Sequence, residues 1–328
     1  TLHPKYIDLS LNRLSKLLEK LGNPHFKLAP VIHLAGTNGK GSTLKFIFNI
    51  LIENNYSVNA YISPHLTKFN ERIILNNKII NSNKLFSSLK YVEKINNKDP
   101  ITFFEITTAT AFYLFSQKKS DFLLLETGLG GRLDATNIIN KSLIDIITRI
   151  GIDHQEFLGK NIFKITREKL GIIKKNSNII IAPQNKNVNS YIEKKIKNKK
   201  NNKLLYNKNY NILKKNKNNF DLKYKEKVYK FPNPKLLGEH QIENVSTSII
   251  AIMKLKELGY KFSYKDINKG IVKTKWPGRL EKVKLNKITV YLDGAHNIDG
   301  AKKLLNFFKQ KNQKVWIIIG MLNNKNLN

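Results

Sequence analysis

The sequence predicts an α/β fold, a parallel sheet flanked by helices, followed by a second, smaller α/β domain. Three observations predict it. Short apolar runs alternate with stretches of helical spacing, a glycine-rich loop joins one such run to the next helix, and a Pro-Gly break late in the chain precedes a fresh series of strand-like runs. With 328 residues, 41% hydrophobic and 10% aromatic, the chain is long enough for two domains and apolar enough to bury a core.

Taken in order, Tyr6 to Leu21 carries Leu9, Leu11, Leu14, Leu17, Leu18 and Leu21 at mostly three- and four-residue spacing, an amphipathic helix stopped by Gly22. Val31 to Ala35 is a short apolar run, Gly36 to Ser42 is rich in glycine, and Thr43 to Glu53 returns to helical spacing, so strand, loop and helix follow one another. Val58 to Ile62, Phe122 to Glu126 and Ile144 to Ile150 are further buried strands, with a helix over Ile106 to Phe115 between them. Residues 179–231 mix short β-like runs, Lys/Asn turns and one Lys-rich helix, which predicts a small peripheral β region. A helix from Gln241 to Leu258 ends at Gly259. Pro277 and Gly278 mark the domain boundary, giving a first domain of 1–276 and the start of a second at 277–328, with strands at Leu280 to Val283, Ile288 to Leu292 and Val315 to Ile319. About fifty residues is at the lower edge of independent stability, so the second domain is expected to be truncated here, and the N-terminus, lacking Met, to be cut as well.

Composition excludes several classes. The formal charge of +34 suggests a polyanion partner, but the lysines are spread along the chain beside asparagines, with few interleaved aromatics to stack on bases. No specific nucleic-acid partner is expected. The absence of Cys rules out disulfides and thiolate metal sites and fits a reducing, cytoplasmic setting. No apolar run is long enough to span a bilayer, and no signal peptide opens the chain, so no membrane partner is expected.

HLAGTNGKGST, His33 to Thr43, sits between a strand and a helix, the context of a phosphate-binding loop. Glycines let backbone N–H groups turn inward as an anion nest, the helix start adds partial positive charge, and Lys40 reaches the terminal phosphates. The spacing departs from the common GxxxxGK[ST] pattern, because Leu34 occupies the first glycine's place and Gly41 separates Lys40 from Ser42. A plain strand-to-helix turn is the bland alternative. Three other segments put polar residues where strands end: Ser63 to Leu66, Glu126 to Asn137 and Gly151 to Gly159. Ligands bind outside the carboxyl ends of such strands, so Ser63, Glu126 and His154 are expected to converge there, and a hydroxyl, a carboxylate and an imidazole suit a Mg²⁺ bridging nucleotide phosphates.

GTNGKGS, SPHL followed by FNERI, ETGLGGRLDATN, DHQEFLG, REKLGIIK, WPGRLE and DGAHN occur in one order over nearly the whole chain, and in that combination the sequence resembles the folylpolyglutamate synthase/dihydrofolate synthase family, relatives of the Mur ligases. The resemblance implies a Mur-ligase-like phosphate-loop domain with a glutamate-ligase-type C-terminal domain. It implies ATP-dependent joining of L-glutamate to dihydropteroate or folate through an acyl phosphate. It also implies that Gly39, Lys40, Gly41, Ser42, Asn244, Arg279, Asp293 and His296 bind ATP, that Ser63, Glu126 and His154 bind Mg²⁺, and that Lys169 is carbamylated and holds a second Mg²⁺. Thr102, Phe103, Phe104, Glu105, Leu133, Asp134 and Ala135 match the pteroate-binding segments. Lys40, Lys169 and His154 are then the residues closest to the chemistry, and a monomer with small-molecule partners is expected. Without the resemblance, Lys169 reads as a solvated cation, His154 as a satisfied imidazole, Asp293 as a turn residue, Asp134 as a helix cap, and Phe103 and Phe104 as core. A Mur-type ligase acting on a nucleotide-linked sugar, a phosphate-loop NTPase or kinase, and a basic nucleic-acid-binding protein are the alternatives.

Overall fold

Strand formation starts where β-branched and leucine side chains leave no polar face. The computed structural model describes residues 10–286, 288–311 and 314–320. It opens with helix α1 (Asn12–Lys20), strand β1 (Val31–Ala35), helix α2 (Lys40–Glu53), strands β2 (Val58–Tyr61), β3 (Ile73–Leu75) and β4 (Lys78–Ile79), helices α3 (Ser82–Asn96) and α4 (Phe103–Gln117), and strand β5 (Phe122–Glu126). There follow β6 (Ile144–Ile147), the short helix α5 (Gln155–Leu158), α6 (Ile162–Leu170), β7 (Asn178–Ile181), α7 (Lys186–Ile196) and β8 (Asn202–Leu205). Strands β9 (Tyr210–Lys215), β10 (Asn219–Tyr224) and β11 (Lys227–Pro232), helices α8 (His240–Glu257) and α9 (Tyr264–Lys273), strands β12 (Glu281–Leu285) and β13 (Ile288–Leu292), and helix α10 (Ile298–Lys309) complete it.

One eight-stranded sheet runs β4-β3-β2-β5-β1-β6-β7-β8, parallel from β2 through β8, with β3 and β4 antiparallel at one edge. Every residue of β1, β2, β5 and β6 is buried, because helices cover both faces. Alternation along the strands sends Ile32, Leu34, Leu124 and Ile146 to one face, against α2, α8 and α9. Leu123 and Leu125 go to the other face, against α1, α3 and α4, while Ile179 and Ile181 meet α6 and α7. Each such leucine or isoleucine contributes about 1.5–3 kcal/mol by leaving water. The phosphate-loop helix α2 is therefore held between the sheet and two helices, and Gly270 of α9 lies so close to Ile50 that an added methyl carbon would stand 2.6 Å from its Cα.

Four sequence expectations need correction. Helix α1 begins at Asn12 rather than Tyr6; Tyr6 to Leu9 lie outside the described residues. The strand expected over Ile144 to Ile150 ends at Ile147; Thr148 N–H still donates to the Ala35 carbonyl at the end of β1, and the Arg149 carbonyl accepts from the loop after it. Residues 179–231 are not one peripheral region. β7 and β8 extend the main parallel sheet, with Ile179, Ile180 and Ile181 fully buried, and only β9–β11 form a separate antiparallel sheet, whose Phe220, Leu222 and Phe231 join the core under α8. Val315 to Ile319 is irregular and exposed: a strand needs a neighbour to take its ladder bonds, and among the described residues none lies beside it. β12 and β13 pair as an antiparallel hairpin against which α10 follows.

Candidate active site

Loops leaving the carboxyl ends of the adjacent strands β2, β5, β1 and β6 meet in one cleft, roofed by the segment after β13 and the first turns of α10. The β1–α2 loop is pinned first. Thr37 and Asn38 donate their backbone N–H groups to the Arg149 carbonyl at 2.9 and 3.0 Å, and the Thr37 hydroxyl bonds Gly151. Gly36 faces Thr148 so closely that any side chain would overlap its hydroxyl, and Gly39 takes φ +88°, a conformation that favours glycine. The first turn of α2 then has no capping side chain and no acidic residue, so its N–H donors stay available to an anion.

Two lysines share one acceptor in this loop. Lys40 Nζ donates to the Gly36 carbonyl at 3.1 Å and Lys169 Nζ to the same oxygen at 2.9 Å. Lys169 comes from the last turn of α6, which the glycine-rich segment after β5 lets approach; a methyl on Gly131 would stand 2.7 Å from the Glu168 carbonyl. Burial, then the neighbouring Lys40, lowers the Lys169 amine from 10.5 to about 7, with Asp153 and Asp134 opposing. Glu168 turns the other way and pairs with Arg132 at 3.1 Å.

Glu126 ends β5 with a buried carboxylate; burial raises its pKa and Lys40 opposes the rise. Its Oε2 accepts from Ser63 N–H at 3.3 Å. The Ser63 hydroxyl is buried with no hydrogen-bond partner, an arrangement that costs stability unless another group uses it. An unpaired hydroxyl beside a buried carboxylate fits a Mg²⁺ ion. Among the described residues no cluster of three His, Cys, Asp or Glu side chains forms a ready metal cage.

Gly39, Lys40, Gly41, Ser42, Ser63, Glu126, His154, Lys169, Asn244, Arg279, Asp293 and His296 all line this cleft. Asn244, on the first turns of α8, lies against Gly39 and donates to Gln241 at 3.0 Å. Asp293 spends both oxygens on backbone N–H groups of Leu280 and Ala295, at 2.8 and 2.7 Å, so it shapes the turn that carries His296. Thr102, Phe103, Phe104, Glu105, Leu133, Asp134 and Ala135 do not line the cleft. Thr102 and Glu105 form a capping box at the start of α4, and Glu105 also takes both guanidinium contacts of Arg13, at 3.0 and 3.1 Å. Asp134 accepts from Leu129 N–H and from Thr136. Phe104 packs against Tyr61 and leaves no room for a side chain on Gly128, and Phe103 meets Phe69 edge-on at 5.4 Å.

The sequence reading passed over Asn38, Asp153, His240 and Asn297, which also stand at this cleft or its roof. His240 is partly buried at the start of α8, and desolvation followed by Lys303 lowers it to about 4, so it is a neutral imidazole. Asp153 and Asn297 neighbour the cleft histidines His154, in DHQEFLG, and His296, in DGAHN, and that adjacency is the sequence signal for them.

A parallel sheet with an anion-ready loop at its strand ends, two lysines, a metal-suited hydroxyl and carboxylate, and a roof from a second unit defines a phosphate-loop nucleotide-dependent enzyme. Residues 34–252 match the Mur ligase middle domain and residues 278–327 the Mur ligase glutamate ligase domain. The chain is 37% identical to the dihydrofolate synthase/folylpolyglutamate synthase of Bacillus subtilis, over 96% of this chain and 76% of that protein, and 32% identical to the one of Escherichia coli, over 99% and 75%. Among solved structures it is similar to the apo form of L. casei FPGS, with TM-score 0.86 and 27% identity over 95% of this chain and 78% of that one. It is also similar to E. coli FolC in complex with DHPP and ADP, with TM-score 0.85 and 31% identity over 96% and 73%. The chain belongs to the dihydrofolate synthase/folylpolyglutamate synthase family of Mur ligases.

Proposed function

We propose that this chain is an ATP-dependent carboxylate–amine ligase that joins L-glutamate to dihydropteroate, to a folate polyglutamate, or to both. The observation that supports it most is the pair Lys40 and Lys169 converging on the Gly36 carbonyl at the open start of α2, with Glu126 and Ser63 alongside. In this reading an oxygen of the acceptor carboxylate attacks the γ-phosphorus of ATP, the bond to the bridging oxygen breaks, and ADP leaves. The glutamate amine then attacks the acyl carbon, phosphate departs with the C–O electron pair, and the amine gives up a proton. Gly39, Gly41 and Ser42 hold the phosphates through the loop and helix start, while Lys40 neutralises charge that grows on the transferred phosphoryl group. Asn244, Arg279, Asp293 and His296 enclose the nucleotide from α8 and the roof. Ser63, Glu126 and His154 hold Mg²⁺, which when bound supplies charge neutralisation at the phosphates.

Lys169 is suited to carbamylation. Burial leaves much of its amine neutral near pH 7, so it can attack carbon dioxide and release a proton, and the resulting anion is held by Lys40 and provides an oxygen ligand for a second Mg²⁺. The pteroate moiety lies along Phe103, Phe104 and the Leu133–Ala135 segment, with Thr102, Glu105 and Asp134 shaping those segments through their caps. We assign residues 1–276 to the ATP- and pteroate-binding domain and 277–328 to the beginning of the glutamate-ligase domain, and read the protein as a cytoplasmic monomer with small-molecule partners. Among the described residues, no helix is long and apolar enough to cross a membrane.

The test is ADP release with dihydropteroate or tetrahydrofolate, each with and without glutamate. Release that needs both acceptor and glutamate is expected. Release indifferent to glutamate points to an NTPase or kinase, and release triggered by a nucleotide-linked sugar points to the other ligase class.

A further inference from the structure

Across the roof of the cleft, one carboxylate divides its two oxygens between the two units. Asp153 follows β6, in the turn before α5, and its side chain is 8% exposed. Its Oδ1 accepts the N–H of His154 at 2.9 Å, which fixes its own turn. Its Oδ2 lies 4.0 Å from His154 Nε2 in its own unit and reaches the second unit, 3.3 Å from His296 Nε2 and accepting from Asn297 Nδ2 at 3.2 Å. Asn297 is itself the N-cap of α10: its Oδ1 takes Gly300 N–H at 2.9 Å. The same amide exchanges two hydrogen bonds with Asn38 of the phosphate loop, at 3.1 and 3.3 Å. Asn38 in turn donates its backbone N–H to the Arg149 carbonyl, in the segment just after β6.

We propose that Asp153, acting through Asn297 and Asn38, is a positioning residue that holds the second unit closed over the phosphate loop and so sets where His296 stands. The inference rests on the ligase reading for its kinetic consequence, but the clasp itself needs only nucleotide to be observed. Asn297 meets two polar side chains 144 and 259 residues away in sequence, with every contact between 3.1 and 3.3 Å, and each bond crosses between units or between loops rather than within one. Hydrogen bonds to a carboxylate are about twice as strong as neutral ones, and with the Asp153 side chain itself only 8% exposed they hold a geometry that a flexible hinge otherwise leaves free. Asp153 touches no reacting atom in this role; it acts through what it holds.

The separating variants are Asp153→Asn and Asn297→Ser. The first keeps an oxygen for the His154 N–H and replaces Oδ2 by a second donor, facing the Asn297 amide. The second keeps a capping hydroxyl for α10 but is too short to reach Asp153 or Asn38. Each is expected to raise KM for ATP about tenfold, and the double variant also about tenfold rather than a hundredfold, because both break one clasp. Resonance energy transfer between dyes at Lys90 and Lys309, each first changed to Cys in this Cys-free chain, is expected to report a closed distance with a non-hydrolysable ATP analogue and Mg²⁺ in the parent, and a longer one in both variants. Melting temperatures should stay within a few degrees of the parent. Multiplicative effects on KM, or closure unchanged in the variants, would overturn the proposal. If the parent fails to ligate glutamate yet closes on nucleotide, the ligase reading falls and the clasp is judged on distance and nucleotide affinity alone. If Asp153→Asn does not fold, Asn297→Ser carries the same comparison.

Discussion

Replacing Lys169 by Met should make the protein more stable and inactive. The amine is fully buried, and its proton affinity falls from an ordinary 10.5 to about 7, chiefly through burial. Each factor of ten in proton affinity is about 1.4 kcal/mol, so holding Lys169 in the fold at pH 7 costs on the order of 4 kcal/mol relative to the unfolded chain. Met fills a similar volume without a charge, and the Gly36 carbonyl keeps Lys40 as its donor. The pH dependence follows from proton counting. Between about pH 7 and 10.5 the unfolded chain holds a proton that the folded chain lacks, so parental stability rises with pH through that window, and below pH 7 the full cost is present. Urea unfolding of both proteins in carbon-dioxide-free buffer from pH 6.5 to 9.5 measures this. The Met variant should lead by several kcal/mol at pH 6.5, and the gap should narrow steadily toward pH 9.5. A gap independent of pH, or a parent more stable than the variant at pH 6.5, would refute the burial argument. Added bicarbonate should affect the parent alone.

Three other outcomes follow from named contacts. Lys40→Ala should abolish ATP turnover while leaving the melting temperature within a few degrees, since its side chain makes one hydrogen bond to a carbonyl that Lys169 also serves; near-parental turnover would remove it from the phosphate site. Ser63→Ala deletes a buried hydroxyl that has no partner, so stability should hold or rise by up to about 1 kcal/mol while the Mg²⁺ requirement of turnover shifts several-fold upward. An unchanged Mg²⁺ titration would place the ion elsewhere. Glu105→Ala removes the capping box of α4 and the buried ion pair with Arg13, and should cost about 2–3 kcal/mol by denaturant melts with little change in KM for the pteridine acceptor. A large KM change at constant stability would instead give Glu105 a direct part in acceptor binding.

The central sheet and the phosphate loop were legible because their signals are local. Val31 to Ala35 and Phe122 to Glu126 are apolar on both faces and fold as strands with those same limits, and Gly39 marks the helix start. The residues gathered at the cleft were legible through ordered motifs, those of Ser63, Glu126 and His154 following strands β2, β5 and β6 and that of Lys169 lying on helix α6. What escaped detection is non-local. Ile179 to Ile181 is a short apolar run among lysines and asparagines, and nothing in its neighbourhood says that β6 lies beside it. The ITFFE stretch carries a capping-box signature, so the structural employment of Thr102 and Glu105 was readable from spacing alone. Asn38, Asp153 and Asn297 are short polar residues in an asparagine-rich chain, and only the closure of two units makes a clasp of them.

Both margins of the eight-stranded sheet are poor templates for a further strand. β4 contributes two exposed residues, Lys78 and Ile79, and β8 is four residues long with Lys203 in its middle. The consequence is colloidal. Two copies meeting margin to margin would find little free ladder to pair and would bring ammonium groups together, so chains of this composition should resist stacking into fibres even while partly assembled. The same lysines that say little about ligands thereby set how concentrated the protein can become before it associates with itself.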